Sequence, residues 1–415
     1  MDFISLKDAV SHIVDNRGKT CPTSDSGMPL IATNCVKSSS LYPTKEKIRY
    51  VDAETYETWF RGHPEPGDIL FVNKGSPGEV CLVPDPVDFC IAQDMVSLRA
   101  NEKRIDPSYL FAVLRDRGTK VAIENMHVGT MIPHFKKTDF DKLNLPLPSR
   151  SDQEFIGQLY LGLSKRIALN QNMNQTLEDI AKAIFKSWFV DFDPVRAKAE
   201  GRPTGLPTEI SDLFPDELVD SEIGEIPEGW GIGNLKSVSS NRSKSVKPDQ
   251  MANFSSYVGL EHLPRGHIFL SNWGNPLEVK SNKTAFEQGD ILFGKLRPYF
   301  EKSVVAPTDG VCSTDIVAIK PNANTQIFVA CLVSQRRYFE FTSQGSTGTR
   351  MPRTSWKHMC EFEFTVPSDQ LLQQFQSMIS PLVERAMIGI SESETLSELR
   401  DTLLTKLISG ELHIP

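Results

Sequence analysis

The sequence predicts an α+β protein in which two copies of one globular domain are joined to two long helices. Residues 67–71 read Gly-Asp-Ile-Leu-Phe and recur at 289–293, an offset of 222 residues. Residues 129–133 (Gly-Thr-Met-Ile-Pro) recur as Gly-Thr-Arg-Met-Pro at 348–352, an offset of 219 residues. Two nearly equal offsets indicate one duplicated domain, because a period this long lies far outside the range of solenoid repeats.

Each copy leads into a long stretch of helical periodicity, at 152–190 and at 369–408. The repeating positions alternate steps of four and three residues, which is typical of a coiled-coil seam. They are Ile156, Tyr160, Leu163, Ile167, Asn170, Asn174, Leu177, Ala181, Ile184 and Trp188 in the first helix, and Leu372, Phe375, Ile379, Leu382, Ala386, Gly389, Ser393, Leu396, Arg400, Leu403 and Leu407 in the second. Each seam is polar or small in its middle. An antiparallel pair, which brings the two middles together, is therefore favoured.

The helices are expected to span about 60 Å each, at about 1.5 Å per residue, and to separate the globular domains. Proline at position 381 predicts a kink in the second helix, because it removes a backbone hydrogen bond. Short apolar runs bounded by Gly/Pro turns predict strands at 68–72, 80–83, 291–293 and 304–306, and apolar runs at 109–114 and 327–332 predict helices. The predicted segments are a first domain (1–150), a first helix (151–190), a connector (191–229), a second domain (230–368), and a second helix with its tail (369–415).

The connector holds the acidic charge of the chain. Residues 191–228 contain eleven acidic and three basic side chains, an excess equal to the net charge of −8. The rest of the chain is therefore neutral overall, with local basic runs. Five prolines and three glycines predict an irregular connector. Its aromatic entry at 188–192 is too apolar for a free tether, so we expect that part to pack.

Cysteine usage and hydropathy indicate a reducing compartment, most simply the cytoplasm. The seven cysteines form no Cys-x-x-Cys pair and no metal-ligand spacing with histidines. No apolar run approaches 18 residues, so no membrane segment is expected.

Motifs for catalysis are missing. No Pro-Pro dipeptide occurs, which excludes the Asn/Asp-Pro-Pro-aromatic loop of amino-methyltransferases, and neither a phosphate-binding loop nor His-Glu-x-x-His is present. Two weak matches remain. Gly229, Gly231 and Gly233 resemble a cofactor-binding loop, but such a loop would follow a strand and these glycines follow a proline-rich connector. Pro248-Asp249 with Glu278-Val279-Lys280 is a degenerate nuclease-like pattern. The expectation is a protein that is not an enzyme.

The motifs of the second copy resemble the target-recognition domain of type I restriction-modification specificity subunits. They are residues 289–293, Lys-Leu-Arg-Pro-Tyr at 295–299, Ser-Thr-Asp at 313–315 and Gly-Thr-Arg at 348–350. Residues 184–194 are similar to the central conserved region of that family, and 399–412 to its C-terminal region. The first copy departs from the pattern at 73–75 (Asn-Lys-Gly) and at 131–132 (Met-Ile).

The resemblance implies two target-recognition domains in a pseudo-twofold arrangement, held apart by an antiparallel helical pair. Each domain would read one half of a split, asymmetric site in double-stranded DNA. The helices would dock two modification subunits, which bring S-adenosylmethionine and methylate adenine, and through them restriction subunits that use ATP and Mg²⁺. The chain itself would bind no cofactor and no metal.

The resemblance also suggests site residues. The DNA-binding candidates are Lys74, Lys136, Lys137, Lys244, Lys295, Arg297, Arg350 and Arg353, and the subunit-interface candidates are Phe185, Trp188, Phe189, Leu403 and Leu407. Two other classes stay open: an autonomous DNA-binding regulator, which needs a stronger basic face or a helix-turn-helix, and a protein-only scaffold, which explains the duplication but not the basic clusters.

Overall fold

The computed structural model describes residues 2–16, 18–126, 132–346, 348 and 351–412. The chain divides into two compact units: unit 1 comprises residues 1–169 and 392–415, and unit 2 comprises residues 170–391. The first long helix is Arg150–Phe189 and the second is Asp369–Ser409. The helices do not form a unit of their own, since each contributes one part to unit 1 and the other part to unit 2.

Unit 1 contains three small sheets and several short helices. In spatial order its sheets are Val10–Val14, Met95–Ala100, Ile69–Val72 and Val80–Leu82; Arg49–Val51, Met28–Ile31 and Cys90–Ile91; and Asp2–Ser5 with Asn144–Leu147. Its short helices are Leu6–Ala9, Ala53–Thr58, Pro107–Arg115 and Arg117–Met126, with 3₁₀ turns at Thr33–Cys35 and Lys137–Asp139. Helix Pro107–Arg115 begins there because the Asp106 carboxylate accepts from the Ser108 amide at 2.9 Å and proline occupies the first turn.

Unit 2 contains the equivalent sheets. In spatial order they are Ser239–Asn241, Ile316–Pro321, Ile291–Gly294 and Ser303–Val305; Ser245–Val246, Lys283–Phe286, Gly310–Cys312 and Tyr257–Val258; and Gly231–Asn234 with Glu363–Val366. Its short helices are Asp193–Ala199, Thr208–Ser211, Leu235–Val238, Gln326–Val333, Arg336–Gln344 and Trp356–Met359, with 3₁₀ turns at Pro248–Asn253, Pro276–Glu278 and Pro298–Phe300. A further hairpin pairs Leu218–Ser221 with Gly224–Pro227.

The two units share the strand order of their main four-stranded sheet, which confirms the predicted duplication and the α+β class. In each, the strand of the Gly-Asp motif lies inside a four-stranded antiparallel sheet, between a long strand and a short hairpin partner. Each unit also contains a parallel strand pair, and a pair that joins the strand at the start of its globular part to the strand just before its long helix. Two consecutive helices follow the long strand in both units. The shared pairings are what a duplicated gene segment would produce, although the second sheet has three strands in unit 1 and four in unit 2.

The long helices run antiparallel to one another within each unit. In unit 1, Ile156 and Tyr160 share a buried cluster with Leu404 and Leu407, so the start of the first helix meets the end of the second. In unit 2, the Phe185 ring lies 6.2 Å from that of Phe375, between ring centroids, so the end of the first helix meets the start of the second. This orientation agrees with the sequence-based prediction.

The weak middles of the two seams meet in unit 2. A Cβ atom at Gly389 would lie 2.9 Å from Asn174 Oδ1, so glycine permits the close approach of the two helices here. Pro381 lies within the second long helix, whose bounds continue through it. Residue 381 is exposed, so water can replace the backbone hydrogen bond that proline removes.

The connector 191–229 is more regular than its composition suggests. It forms two short helices, Asp193–Ala199 and Thr208–Ser211, and a hairpin. Phe192, Val195 and Phe214 are buried in the main core of unit 2, and the Trp188 ring lies 5.2 Å from that of Phe214. Apolar residues spaced along an acidic segment therefore anchor it to unit 2. Within the described residues, no helix is both long and apolar enough to span a bilayer.

Candidate nucleic-acid interface

The second repeated motif meets the first through backbone hydrogen bonds in unit 2. The Arg297 amide donates to Pro352 O at 2.7 Å, and the Thr354 amide donates to Lys295 O at 3.0 Å. These bonds join residues 295–302, which follow the Gly-Asp strand, to residues 351–354, which follow the Gly-Thr motif. We call these two segments the unit 2 loop pair. The pair brings together Lys295, Arg297 and Arg353, whereas Arg350 lies outside the described residues.

Unit 1 has the same arrangement in residues 73–79 and 132–135, the unit 1 loop pair. The Gly75 amide donates to Pro133 O at 3.0 Å, and the Phe135 amide donates to Asn73 O at 2.9 Å. Lys74 lies in the position of Leu296, and His134 in that of Arg353. The backbone is thus repeated while the side chains differ between the two units.

The aspartate of each Gly-Asp motif fixes the beginning of the strand that leads to the loop pair. The amides of Glu65 and Glu287 donate to Asp68 Oδ2 and Asp290 Oδ2 at 2.9 and 2.8 Å. Arg99 Nε donates to Asp68 Oδ1 at 2.9 Å, and this hydrogen bond raises the pKa of Arg99.

Asp290 has an arginine partner elsewhere, Arg242, which follows strand Ser239–Asn241. Arg242 Nη2 donates to Asp290 Oδ1 at 3.2 Å, although burial still raises the pKa of the Asp290 carboxyl. Both aspartates are buried, so this half of the motif has a structural role and leaves the loops at the other strand end to contact a ligand.

The three cations of the unit 2 loop pair have different environments. Arg353 Nε donates to Asp315 Oδ1 at 2.9 Å, which raises the pKa of Arg353, and its side chain remains 45% exposed. Arg297 has a left-handed backbone (φ 52°), and its guanidinium carbon lies 5.9 Å from the centroid of the Phe300 ring. Lys295 is half-buried at the base of the loop, where its amide donates to Asp315 O at 2.9 Å.

The remaining candidates are more dispersed. Lys74 is half-buried in the unit 1 loop pair, and Lys136 is exposed beside it. Lys137 is exposed and pairs with Asp15. Lys244 is exposed elsewhere in unit 2, near the start of the Gly-Asp strand, where its carbonyl accepts from the Ala285 amide at 2.9 Å. Lys74 and Lys136 thus lie in or beside the unit 1 loop pair. Lys244 does not lie in the unit 2 loop pair.

The subunit-interface candidates pack within their own units. Phe185, Trp188 and Phe189 are buried in unit 2 and lie against the Phe375 ring, at centroid distances of 6.2, 5.8 and 5.0 Å. In unit 1, Leu407 is buried and Leu403 is partly buried against the same core. A partner would therefore meet the surface that these residues support, and their direct contact with a partner stays a prediction.

Exposed apolar side chains on the long helices were missed by the sequence reasoning. They are Phe155, Leu169 and Leu399 in unit 1, and Ile180 and Ile388 in unit 2. The available signal was an apolar residue at a position outside the coiled-coil seam. Single exposed apolar residues are common on protein surfaces, so a contact between these side chains and a partner is a proposal.

Comparison with known proteins links this arrangement to one family. The family model described as the type I restriction modification DNA specificity domain matches residues 18–179. The specificity subunit of type I restriction enzyme MjaIX from Methanocaldococcus jannaschii is 23% identical over 368 residues, covering 84% of this chain and 78% of that protein. The HindI specificity subunit from Haemophilus influenzae is 26% identical over 407 residues, covering 83% and 86%.

A solved structure shares the fold. The S subunit of a type I restriction-modification system from M. genitalium has a TM-score of 0.56 and 15% sequence identity, covering 98% of this chain and 95% of that one. The matched domain lies in unit 1 and the start of unit 2, and unit 2 repeats the strand order of its main sheet. The chain is therefore similar over most of its length to the specificity subunits of type I restriction-modification systems, and its first part matches their DNA specificity domain.

Proposed function

We propose that the two loop pairs read the two halves of a bipartite, asymmetric DNA site, one half for each unit. The observation that supports this most directly is the repeated backbone: the same hydrogen bonds join the same two segments in both units, while the side chains they present differ. A constant backbone with variable side chains suits sequence recognition, because base edges are read by individual donors, acceptors and apolar groups.

Within unit 2, Arg297 is the candidate for base contact. A guanidinium can donate two hydrogen bonds to the O6 and N7 acceptors of guanine in the major groove. Lys295 and Lys74 are candidates for phosphate contact, together with Lys136 and Lys137. Arg353 is already paired with Asp315, so we assign it a positioning role beside the DNA.

The long helices are proposed to dock the modification subunits, two for each specificity subunit. The exposed apolar side chains Phe155 and Leu169 in unit 1 and Ile180 in unit 2 would supply direct contacts. The partners would bring S-adenosylmethionine for methyl transfer to adenine, and the restriction subunits would bring ATP and Mg²⁺. Because the proposed substrate is chromosomal DNA, we propose that the protein acts in the cytoplasm.

The proposal is tested by gel-shift of a duplex carrying the target that methylome sequencing identifies. The chain is measured alone and together with its modification subunit. Because much of the affinity for DNA comes from phosphate contacts, and this chain has a net charge of −8, we expect tight binding only in the presence of the modification subunit. Equally tight specific binding by the chain alone would favour an autonomous regulator. No binding in either case would favour a protein-only scaffold.

A further inference from the structure

Two adjacent aromatic side chains are exposed at the tip of the unit 2 loop pair. Tyr299 is 48% exposed and Phe300 is 40% exposed, and their ring centroids lie 4.8 Å apart at an interplanar angle of 65°. Single exposed apolar residues are normal on a protein surface. Two aromatic neighbours at a loop tip are an apolar protrusion, which we call the aromatic tip.

The aromatic tip is held in place from several sides. The Phe300 amide donates to Arg297 O at 2.9 Å, which closes a tight turn, and the Gly266 amide donates to Glu301 O at 2.9 Å. Pro298 is buried, and the turn packs against helix Arg336–Gln344. A tip that is ordered before binding loses little conformational entropy when it meets a ligand.

Backbone strain on both sides supports a functional role for the tip. Arg297 has a φ of 52° and Glu301 a φ of 55°, and each is a residue with a Cβ atom in the left-handed region. Such conformations are unfavourable and are concentrated at ligand-binding sites. Here they bracket the turn that presents the two rings.

Charge around the tip indicates an anionic partner. Residues 295–302 contain Lys295, Arg297 and Lys302 against one acidic residue, Glu301. Apolar side chains in a segment with excess positive charge suit duplex DNA, because cations contact the phosphates while the apolar groups enter the stacked bases. A protein partner of ordinary composition would not require the cations.

Within its described residues, the unit 1 loop pair has no counterpart of the aromatic tip. The equivalent loop reads Asn-Lys-Gly-Ser-Pro-Gly-Glu at 73–79 and turns through Gly75 and Gly78, which have φ values of 95° and 86°. Both loop pairs share one exposed aliphatic side chain at the same place, Ile132 in unit 1 and Met351 in unit 2. The aromatic tip is therefore specific to unit 2.

We propose that Tyr299 and Phe300 form a wedge that enters duplex DNA at one base step of the half-site read by unit 2, and that unit 1 binds its half-site without such a wedge. This inference rests on the proposed function, since it requires that the unit 2 loop pair faces DNA. Apolar wedges of this kind partly unstack a base step and kink the duplex.

The experiment uses the complex of the full chain with its modification subunit, bound to duplexes carrying the target from methylome sequencing. The adenine analogue 2-aminopurine, whose fluorescence rises when it is unstacked, replaces one adenine at a time in and next to both half-sites. The adenines that become methylated are not replaced, because a methyltransferase extrudes its target base and would itself raise the fluorescence there. The double variant Tyr299→Ala/Phe300→Ala is compared with the wild type. Leu277→Ala, at the 68% exposed leucine of unit 2, is the matched control.

The wild type should raise the fluorescence at one step of the unit 2 half-site and at none in the other half-site. The double variant should lose this signal and bind the duplex about tenfold more weakly, and Leu277→Ala should behave as the wild type does. A duplex with a mismatch at that step, which is already partly unstacked, should bind the wild type more tightly and give no such gain with the double variant.

The wedge proposal fails, and the proposed function stands, if the wild type methylates its site but raises no fluorescence in the unit 2 half-site. The same holds if the signal survives in the double variant. Tyr299→Ala alone, which alters less of the surface, decides the matter if the double variant unfolds. Proposed function and wedge fail together if the wild-type complex methylates no bipartite site.

Discussion

Arg297 and Arg353 lie on neighbouring segments of the unit 2 loop pair but differ in what constrains them. Arg353 is held by an ion pair with Asp315, and Arg297 is held by a left-handed backbone. An exposed ion pair contributes little to stability, whereas a left-handed backbone at a residue with a Cβ atom reduces it. We therefore expect replacement of the two side chains to affect stability differently.

Arg297→Gly should separate recognition from stability. Glycine adopts a φ of 52° without a Cβ penalty, so the melting temperature should not fall. Loss of a base-reading guanidinium should cost about 1–3 kcal/mol of binding and relax specificity at one base position. Binding to a panel of single-base variants of the target measures both effects. Arg202→Ala, at an exposed arginine paired with Glu200, is the control and should change neither. Unchanged specificity in Arg297→Gly would remove this residue from the base-reading set.

Lys295→Ala should weaken binding to all DNA sequences alike. An ammonium group that contacts a phosphate carries no sequence information but releases a counterion on binding. The slope of log affinity against log salt concentration should therefore fall by about one unit, with specificity retained. A titration between low and physiological salt gives the slope. An unaltered slope would show that Lys295 does not contact the backbone of DNA.

Among the structural elements, the first long helix is linked to a loop of unit 2 by Glu178. Its buried carboxylate accepts from Lys182 Nζ at 2.6 Å and lies 3.5 Å from His267 Nδ1, and Lys182 Nζ also donates to Gly266 O at 2.7 Å. Burial alone would raise the pKa of Glu178, but the hydrogen bonds and charges of His267 and Lys182 outweigh it, so its pKa is lowered. A lowered pKa in the folded state means that the ionised group stabilises the fold.

Glu178→Gln should destabilise unit 2 by about 1–3 kcal/mol at neutral pH, because it leaves the Lys182 charge without its partner. The contribution is fully present above the unfolded pKa of 4.5 and is lost as the pH falls through the lower folded value. Urea melts of both proteins between pH 3 and pH 8 should therefore converge toward the acid end. Glu154→Gln, which breaks the exposed pair with Arg150, should change stability by less than about 0.5 kcal/mol. A pH-independent difference between Glu178→Gln and the wild type would contradict this role for the carboxylate.

Helix length is the next prediction at this scale. Insertion of one heptad after Asn174 and one in register at Gly389, which face each other in unit 2, keeps the seam intact. It adds about 10 Å, or roughly three base pairs at 3.4 Å per pair. If the helices set the spacing, methylome sequencing should find unchanged half-sites with a longer gap. A two-residue insertion rotates the apolar stripe off its partner and should abolish folding or assembly. An active heptad variant that methylates the original spacing would refute the proposed spacing role of the helices.

The elements could be predicted from sequence where a local pattern specifies them. The alternation of three- and four-residue steps predicted both long helices, and short apolar runs between turns predicted the strands Ile69–Val72 and Ile291–Gly294. The two loop pairs could not be predicted, because the bonds between residues 75 and 133 and between 297 and 352 join distant segments. The pairing of Arg353 with Asp315 could not be predicted for the same reason, since ion pairs depend on side chains brought together by folding.

At the scale of the whole molecule, the duplicated units carry the functional argument. Each unit contains its own sheets, its own loop pair and its own stretch of both long helices. Unit 1 buries Leu404, Leu407 and Ile408 of the second long helix in its main core. A transplant of unit 1 must therefore include residues 392–412 as well as 1–169, since the globular part alone would leave this apolar surface uncovered.

Exchange of unit 1 tests the central claim, that each unit reads one half of the DNA site. Residues 1–169 and 392–412 are replaced together by the matching segments of another specificity subunit, and cells expressing the chimera with its modification subunit are subjected to methylome sequencing. The account predicts a new methylated site in which one half has changed to that of the donor and the other half is unchanged. A site altered in both halves, from a chimera that still folds and methylates DNA, would contradict it.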